Sequence, residues 1–188
     1  MKILLGSKSP RRRELLSGLG VEYTTVSISH DEQYPQELQA GDIPLYIAKQ
    51  KALAYRSRLH KDELLLTADT IVWHDGEMLG KPQDESEAFS MLRRLSGNTH
   101  QVYTAVCLTT VDDMSSFVDK TDVTFRQITD SEINEYILTC RPFDKAGAYG
   151  VQEWIGYACC TAINGSFYNV MGLPTEPLYR KLKAFLDK

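Results

Sequence analysis

The chain has 188 residues, 43% of them hydrophobic and 24% charged, with a formal net charge of −4. These are ordinary globular proportions at the size of one domain, or of two small lobes sharing a core; they exclude a disordered chain, a collagen and a membrane protein. A chain of this length buries roughly 70% of its unfolded surface, so neither a metal nor a disulfide is needed to hold it together.

The elements alternate in type, which makes the class α/β or α+β. Lys2 to Leu5 reads as a short buried strand. A helix follows at once, with Ser9 as N-cap, Pro10 in the first turn, Leu15, Leu16 and Leu19 as its apolar stripe and Gly20 past its end. Val21 to Ile28 is rich in β-branched residues and reads as a strand. Asp31 to Gly41, polar and containing Pro35, reads as loop. A second helix runs from about Pro44 to Leu59, with Asp42 near its cap. Leu45, Ala48, Ala52 and Tyr55 share one of its faces. Leu64 to Trp73 is strand-like, and Asp75-Gly76 signals a hairpin. Asp84 to Leu95 is a third helix, where Asp84 with Glu87 resembles a capping box and Gly97 lies beyond the end. His100 to Thr110 and Ser116 to Phe125 read as paired strands. Thr129 with Glu132 is a capping box for a fourth helix that turns Ile133, Tyr136 and Ile137 inward. Ala158 to Ile163 and Phe167 to Val170 read as strands around a second hairpin signal, Asn164-Gly165. A last helix covers about Leu178 to Leu186.

No apolar run approaches the roughly 18 residues of a spanning helix. The opening Met1 to Gly6 is too short for a signal-peptide core, so a cytoplasmic location is expected. Cys107, Cys140, Cys159 and Cys160 form no C-x-x-C pair, and His30, His60, His74 and His100 are scattered. Buried hydrophobic cysteines are therefore preferred over a redox or zinc role. Charge is uneven: Lys2, Lys8, Arg11, Arg12 and Arg13 face Glu14 alone in the first twenty residues of a chain that is acidic overall. An acidic body is a poor general binder of nucleic acid, while a local basic cluster suits a small, highly charged anion.

Four segments carry chemistry. In Ser7-Lys8-Ser9-Pro10-Arg11-Arg12-Arg13 a strand delivers hydroxyl residues to the start of a helix, whose unpaired N–H groups and positive dipole end attract phosphate. Arginines placed there oppose the dipole by a few tenths of a kcal/mol each, which an anion would offset; the bland reading is a capped helix with solvated arginines. Neither a P-loop nor a G-x-G-x-x-G fingerprint occurs, so kinase and motor ATPase readings lose support. Asp69, in Thr67-Ala68-Asp69-Thr70, ends an apolar run where open α/β sheets place active-site groups; it could equally be a turn aspartate bonded to its own backbone. Lys81, between Gly80 and Pro82, and Lys51 are candidate cations, each of which taken singly reads as a solvated lysine. Asp144-Lys145-Ala146-Gly147-Ala148-Tyr149-Gly150-Val151-Gln152 allows close backbone approach, and Gln152 offers the donor and acceptor that suit a base edge; the alternative is a tight connector.

Taken together, the ordered series Ser-x-Ser-Pro-Arg-Arg, Lys-Ala, Ala-Asp-Thr-x-Val, Gly-Lys-Pro, Leu-Ser-Gly-x-x-His-x-Val-x-Thr, Asp-Lys-Ala-Gly-Ala-Tyr-Gly-x-Gln, Asn-Gly-Ser and Gly-Leu-Pro resembles the Maf family of nucleotide pyrophosphatases from Ser7 to Pro174. The resemblance implies an α/β fold, an elongated mixed sheet flanked by helices, with two lobes about a central cleft, similar to inosine triphosphate pyrophosphatases. It implies Mg²⁺- or Mn²⁺-dependent hydrolysis of a nucleoside triphosphate to the monophosphate and pyrophosphate. Ser7, Arg11, Arg12, Lys51 and Lys81 fall on its phosphate binders, Glu32 and Asp69 on its catalytic and metal-holding acids, and Arg11, Thr70 and Gln152 on the positions that set base choice. The Ala-Tyr-Gly-x-Gln ending is similar to the dTTP/UTP subgroup. The alternatives are a 7-methyl-GTP pyrophosphatase, a non-catalytic nucleotide-binding regulator of cell division, and a plain phosphatase. A small-molecule nucleotide is the expected partner, without nucleic acid or membrane, and a homodimer is implied. Asp69 is left as either base or metal ligand. Lys8, Glu153-Trp154, Cys159-Cys160 and Thr175 depart from the family pattern.

Overall fold

A computed structural model describes residues 1–31 and 33–186. Its strands are β1 (Lys2–Leu5), β2 (Tyr23–Thr25), β3 (Glu63–His74), β4 (Glu77–Leu79), β5 (Thr99–Thr109), β6 (Met114–Phe125) and β7 (Cys160–Asn164). They form one sheet in the order β2-β1-β3-β5-β6-β7, with β4 paired to β3. The helices are α1 (Pro10–Gly18), α2 (Asp42–Arg56), α3 (Glu85–Leu95), α4 (Asp130–Cys140), α5 (Trp154–Cys159), α6 (Phe167–Met171) and α7 (Thr175–Leu186), with a 3₁₀ turn at Ala146–Ala148. The expected mixed α/β class holds.

The chain divides into two compact units. The first comprises Met1–Asp69, Thr104–Asp119 and the segment from Gly172 onward; the second comprises Thr70–Tyr103 and Lys120–Met171. In the first unit β1 runs parallel to β2 and β3, with Leu5 opposite Thr25 and Leu66. Leu4, Leu5, Leu64, Leu65 and Leu66 are buried on this pair, as a central parallel strand requires. Ala48 and Ala52 of α2 pack with Leu4 and Leu65, the small residues letting the helix approach the sheet. In the second unit β4 returns antiparallel on β3 through Asp75-Gly76, whose positive φ values of 50° and 78° suit a tight hairpin. Its core gathers Val72, Leu92, Val102, Phe125, Ile133 and Ile155. His100, Phe125 and Tyr149 meet edge-to-face there, with ring centroids 5.0 to 5.3 Å apart.

Ser9 caps α1, its hydroxyl accepting the Arg12 N–H, and Pro10 occupies the first turn. The Thr129/Glu132 capping box is complete. At α3 only half of the expected box forms: Asp84 accepts the Glu87 N–H, while the Glu87 carboxylate reaches the Gln83 N–H instead. The strand expected at Val21–Ile28 is confined to Tyr23–Thr25.

Ala158 and Cys159, expected in a strand, lie in α5, and β7 starts only at Cys160; a larger expectation is overturned as well. Phe167 to Val170 is not a strand but part of α6, and Asn164-Gly165 makes no hairpin to it; β7 pairs antiparallel with β6. The physical reason is tertiary. The Ser166 hydroxyl accepts the Asn169 N–H and starts the turn, and the buried Asn169 amide donates to the Val102 carbonyl and the Thr121 hydroxyl. Those contacts outweigh the β propensity of the aromatic pair Phe167-Tyr168.

Candidate active site

The exit of β1 carries the first group of candidates. Ser7 Oγ accepts from the Ser9 N–H at 3.2 Å and from Arg12 Nη1 at 3.4 Å. Arg12 Nε donates to the Gly172 carbonyl at 2.8 Å. The guanidinium of Arg12 is thus tethered along one edge rather than swinging in solvent. The first turn of α1 contains Arg11 and Arg12 and no acidic residue, so positive side chains stand at the positive end of the helix dipole. Both arginines are half-buried, and Arg13 is exposed.

Asp69 lies on β3, three residues beyond Leu66, the partner of Leu5. The parallel register therefore carries the Ser7–Arg12 segment and Asp69 to the same end of the β1/β3 pair. Lys51 Nζ stands 2.8 Å from Asp69 Oδ1, with side-chain exposures of 14% and 12%. One turn before Lys51 on α2, the Ala48 carbonyl accepts from buried Thr67 Oγ1 at 2.7 Å, which pins the helix to the strand that bears Asp69. Glu32, the second expected acid, lies outside the described residues. Among the described residues, no three His, Cys, Asp or Glu side chains gather as a metal site.

The remaining candidates belong to the second unit. Thr70 follows Asp69 on β3 and is half-buried. Lys81 is exposed just after β4. The carbonyl of the neighbouring Gly80 accepts from the Gly147 N–H at 3.0 Å, joining the Lys81 loop to the 3₁₀ turn. Gly147 has φ 66°, and a Cβ there would come within 2.9 Å of Val72, so this turn needs glycine twice over. Gln152 Oε1 is buried and has no hydrogen-bond partner among the described residues.

Sequence reasoning named Lys145, Tyr136 and Glu153 but gave none of them a role at the site. Lys145 is buried and forms ion pairs with Asp144 at 2.8 Å and Glu153 at 3.0 Å. The Tyr136 hydroxyl donates to Glu153 Oε2 and accepts from the Gly150 N–H at 3.1 Å. Burial first, then the Glu153 bond, push the Tyr136 hydroxyl far above its ordinary pKa, so it stays a donor. The periodicity that turned Tyr136 inward was visible in sequence, but its polar tip had no visible partner. All four cysteines are free thiols, with Cys107 and Cys159 buried and the other two half-buried; burial raises the thiol pKa of Cys107, Cys159 and Cys160.

The fold is that of an α/β protein whose sheet brings a hydroxyl-lined, arginine-bearing helix start to the same strand ends as a lysine-held carboxylate. Within the α/β class the chain belongs to the Maf family: the model for "Maf-like protein" matches residues 2–185. It is 56% identical over 183 residues to a protein of Phocaeicola vulgatus named dTTP/UTP pyrophosphatase, covering 97% of this chain and 95% of the relative. Proteins of the same name from Parabacteroides distasonis and Flavobacterium johnsoniae are 52% and 43% identical over 185 residues, covering 98% of this chain and 96% and 95% of theirs. A crystal structure of a nucleoside-triphosphatase (dITP/XTP pyrophosphatase) from Mycobacterium abscessus aligns over 100% of this chain and 95% of its own, at 16% identity and a TM-score of 0.49. No helix among the described residues is long and apolar enough to cross a membrane.

Proposed function

We propose that the chain is a nucleoside triphosphate pyrophosphatase that hydrolyses dTTP and UTP to the monophosphate and pyrophosphate. The observation that carries the reading is the shared strand end, where the parallel register sets the Ser7–Arg12 segment and the Lys51–Asp69 pair together. The names of relatives up to 56% identical support the choice of thymine and uracil nucleotides. Modified pyrimidine triphosphates fit the same description.

A triphosphate carries about four negative charges, and unit charges 4 Å apart interact by about 4 kcal/mol at an effective dielectric of 20. Several fixed cations are needed to hold it. Ser7 and the first N–H groups of α1 would cradle phosphate oxygens, and Arg11, Arg12, Lys51 and Lys81 would neutralise the phosphates. The tether of Arg12 to Gly172 fixes one edge of its fork before the ligand arrives, which reduces the ordering cost of binding. Lys51 holds the Asp69 carboxylate in place.

Asp69 offers the hard oxygen donor that Mg²⁺ or Mn²⁺ favours, and such ions commonly bind one or two carboxylates and complete their shell with water and substrate phosphates. Asp69, with Glu32 as the expected second carboxylate, would hold the ion, which when bound supplies Lewis-acid stabilisation and a more acidic water. In the hydrolysis itself Asp69 orients the attacking water and accepts its proton. A new oxygen–Pα bond forms, the bond from Pα to the bridging oxygen breaks, and pyrophosphate leaves with the electron pair, its charge met by Arg12 and the lysines. Arg11, Thr70 and Gln152 would set base choice. A cytoplasmic location, a free nucleotide as partner and a homodimeric assembly accompany this reading.

The test is to incubate the purified chain with Mg²⁺ and each of dTTP, UTP, CTP, GTP and 7-methyl-GTP and to identify the products. Pyrophosphate with dTMP and UMP is expected. Orthophosphate released first, turnover confined to 7-methyl-GTP, or tight dTTP binding without products would each overturn the reading.

A further inference from the structure

Gln152 stands in a turn whose two ends are fixed by one hydroxyl. The Glu153 N–H donates to the Gly150 carbonyl at 2.9 Å and closes the Gly150–Glu153 turn. Tyr136, at 1% exposure, accepts the Gly150 N–H with the same oxygen that donates to Glu153. Lys145 Nζ holds the other carboxylate oxygen of Glu153 at 3.0 Å and is itself held by Asp144 at 2.8 Å. Glu153 is the N-cap residue of α5, yet its side chain makes no capping bond there; it turns to Tyr136 and Lys145 instead. Behind the turn, a Cβ on Gly156 would stand 1.7 Å from the Val151 carbonyl oxygen, so the turn rests on the bare backbone of α5. Gly150 and Glu153, the two ends of the turn that contains Gln152, are thereby held, while Gln152 Oε1 is buried with no hydrogen-bond partner among the described residues.

An ion pair between a buried lysine and a half-buried glutamate is weak evidence for stability, because desolvation of the charges offsets their attraction. Its consequence here is geometric. We propose that Tyr136, Glu153 and Lys145 are positioning residues for substrate choice: they lock the Gly150–Glu153 turn so that Gln152 presents a preformed amide to the pyrimidine. The proposal rests on the pyrophosphatase reading above. Thymine and uracil offer an N3–H donor to an acceptor such as Gln152 Oε1, whereas cytosine offers a lone pair at the same atom. A fixed amide distinguishes the two, and an amide free to rotate distinguishes them less.

The experiment measures kcat and KM for dTTP, UTP and CTP on the full chain and its Tyr136→Phe, Glu153→Gln and Gly150→Ala variants, together with their melting temperatures. Tyr136→Phe removes one oxygen from the brace. Gly150→Ala keeps every brace side chain but places a methyl group 2.9 Å from both Gln152 Nε2 and Glu153 Cδ, so it displaces the amide and the brace together. The expected result is a KM for dTTP and UTP raised about tenfold, a preference over CTP reduced about tenfold, and kcat within about twofold. An unchanged KM and preference in the folded variants would overturn the proposal. So would an equal loss on all three substrates that tracks the melting temperature, which is what a merely structural role produces. Should Glu153→Gln fail to fold, Tyr136→Phe and Gly150→Ala decide the matter. A wild-type chain that releases no pyrophosphate from any of the three overturns the pyrophosphatase reading and this proposal with it, whereas wild-type turnover with unaltered variants overturns the proposal alone.

Discussion

The opening of α1 and the passage from Asp144 to α5 both lead a loop into a helix, and they use charge in opposite ways. At α1, arginines crowd the positive end of the dipole, and Arg12 is anchored to a carbonyl and a hydroxyl. Between Asp144 and Glu153 the cation, Lys145, lies between two carboxylates and is buried. The first arrangement is electrostatically costly to its own helix and suits an anion arriving from outside. The second satisfies its charge internally and fixes the backbone around a neutral amide. The difference teaches that charge set against the dipole at α1 leaves room for the phosphate proposed above, whereas the matched charge of Lys145 holds backbone; the Lys51–Asp69 pair, matched at 2.8 Å, is placed by its strand end rather than by its charge balance.

The sharpest way to break that contrast is Asp69→Asn. It should reduce kcat about a thousandfold, roughly 4 kcal/mol of barrier, while the far-UV circular dichroism spectrum stays that of the wild type. Pyrophosphate release at near-normal rate would remove Asp69 from the chemistry. On the scaffold side, burial first and then His74 hold the His100 pKa down to about 3. Its unfolded value lies near 6.5, so the unfolded state binds the extra proton between these limits. The stability that neutral His100 contributes is fully present above pH 6.5 and is lost as pH falls toward 3, on the order of 5 kcal/mol in all. Glu132, held down to about 2 by Arg126 and then by the Thr129 N–H, acts with the same sign, but only below pH 4.5. Urea unfolding at pH 7, 6, 5 and 4 separates the two windows, and a flat profile from 7 to 5 would contradict a buried neutral His100.

Gly156→Ala should destabilise the chain by about 3 kcal/mol, because the new methyl group meets backbone rather than a mobile side chain. A melting temperature equal to wild type would mean that the Gly150–Glu153 turn is not seated on α5. Arg12→Ala should lower kcat/KM for dTTP about thirtyfold, roughly 2 kcal/mol, with the loss equal for UTP because phosphate is common to both. A loss that differs between bases would move Arg12 from phosphate to base recognition. The smallest effect is expected of Thr67→Val, which deletes the bond to the Ala48 carbonyl at the cost of about 1 kcal/mol in thermal stability. Its activity tells whether Lys51 depends on that pin for its place beside Asp69.

Several elements of both units were legible in the sequence because their signals are local. Ser9-Pro10 marked the start of α1, Thr129 with Glu132 the start of α4, and Leu64-Leu65-Leu66 the buried strand, each through a pattern completed within four residues. The arginine cluster was legible too, since its conflict with the helix dipole needs no tertiary knowledge. What could not be read was partnership. Lys51 and Asp69 lie 18 residues apart in the chain, Arg12 and Gly172 160, and Tyr136 and Glu153 17. Phe167 to Val170 was misread as a strand for the same reason, because Asn169 answers to Val102, 67 residues away.

The sequence by itself determined the mixed α/β class, the caps that start its helices and the chemical types available to a nucleotide, because propensity, periodicity and side-chain chemistry are properties of neighbouring residues. The tertiary structure alone decided which carboxylate Lys51 holds, that α6 is a helix, and that a tyrosine hydroxyl closes on a glutamate behind Gln152. Such choices follow from strand register and the packing of distant segments, where each buried polar group must find its partner or remain unsatisfied.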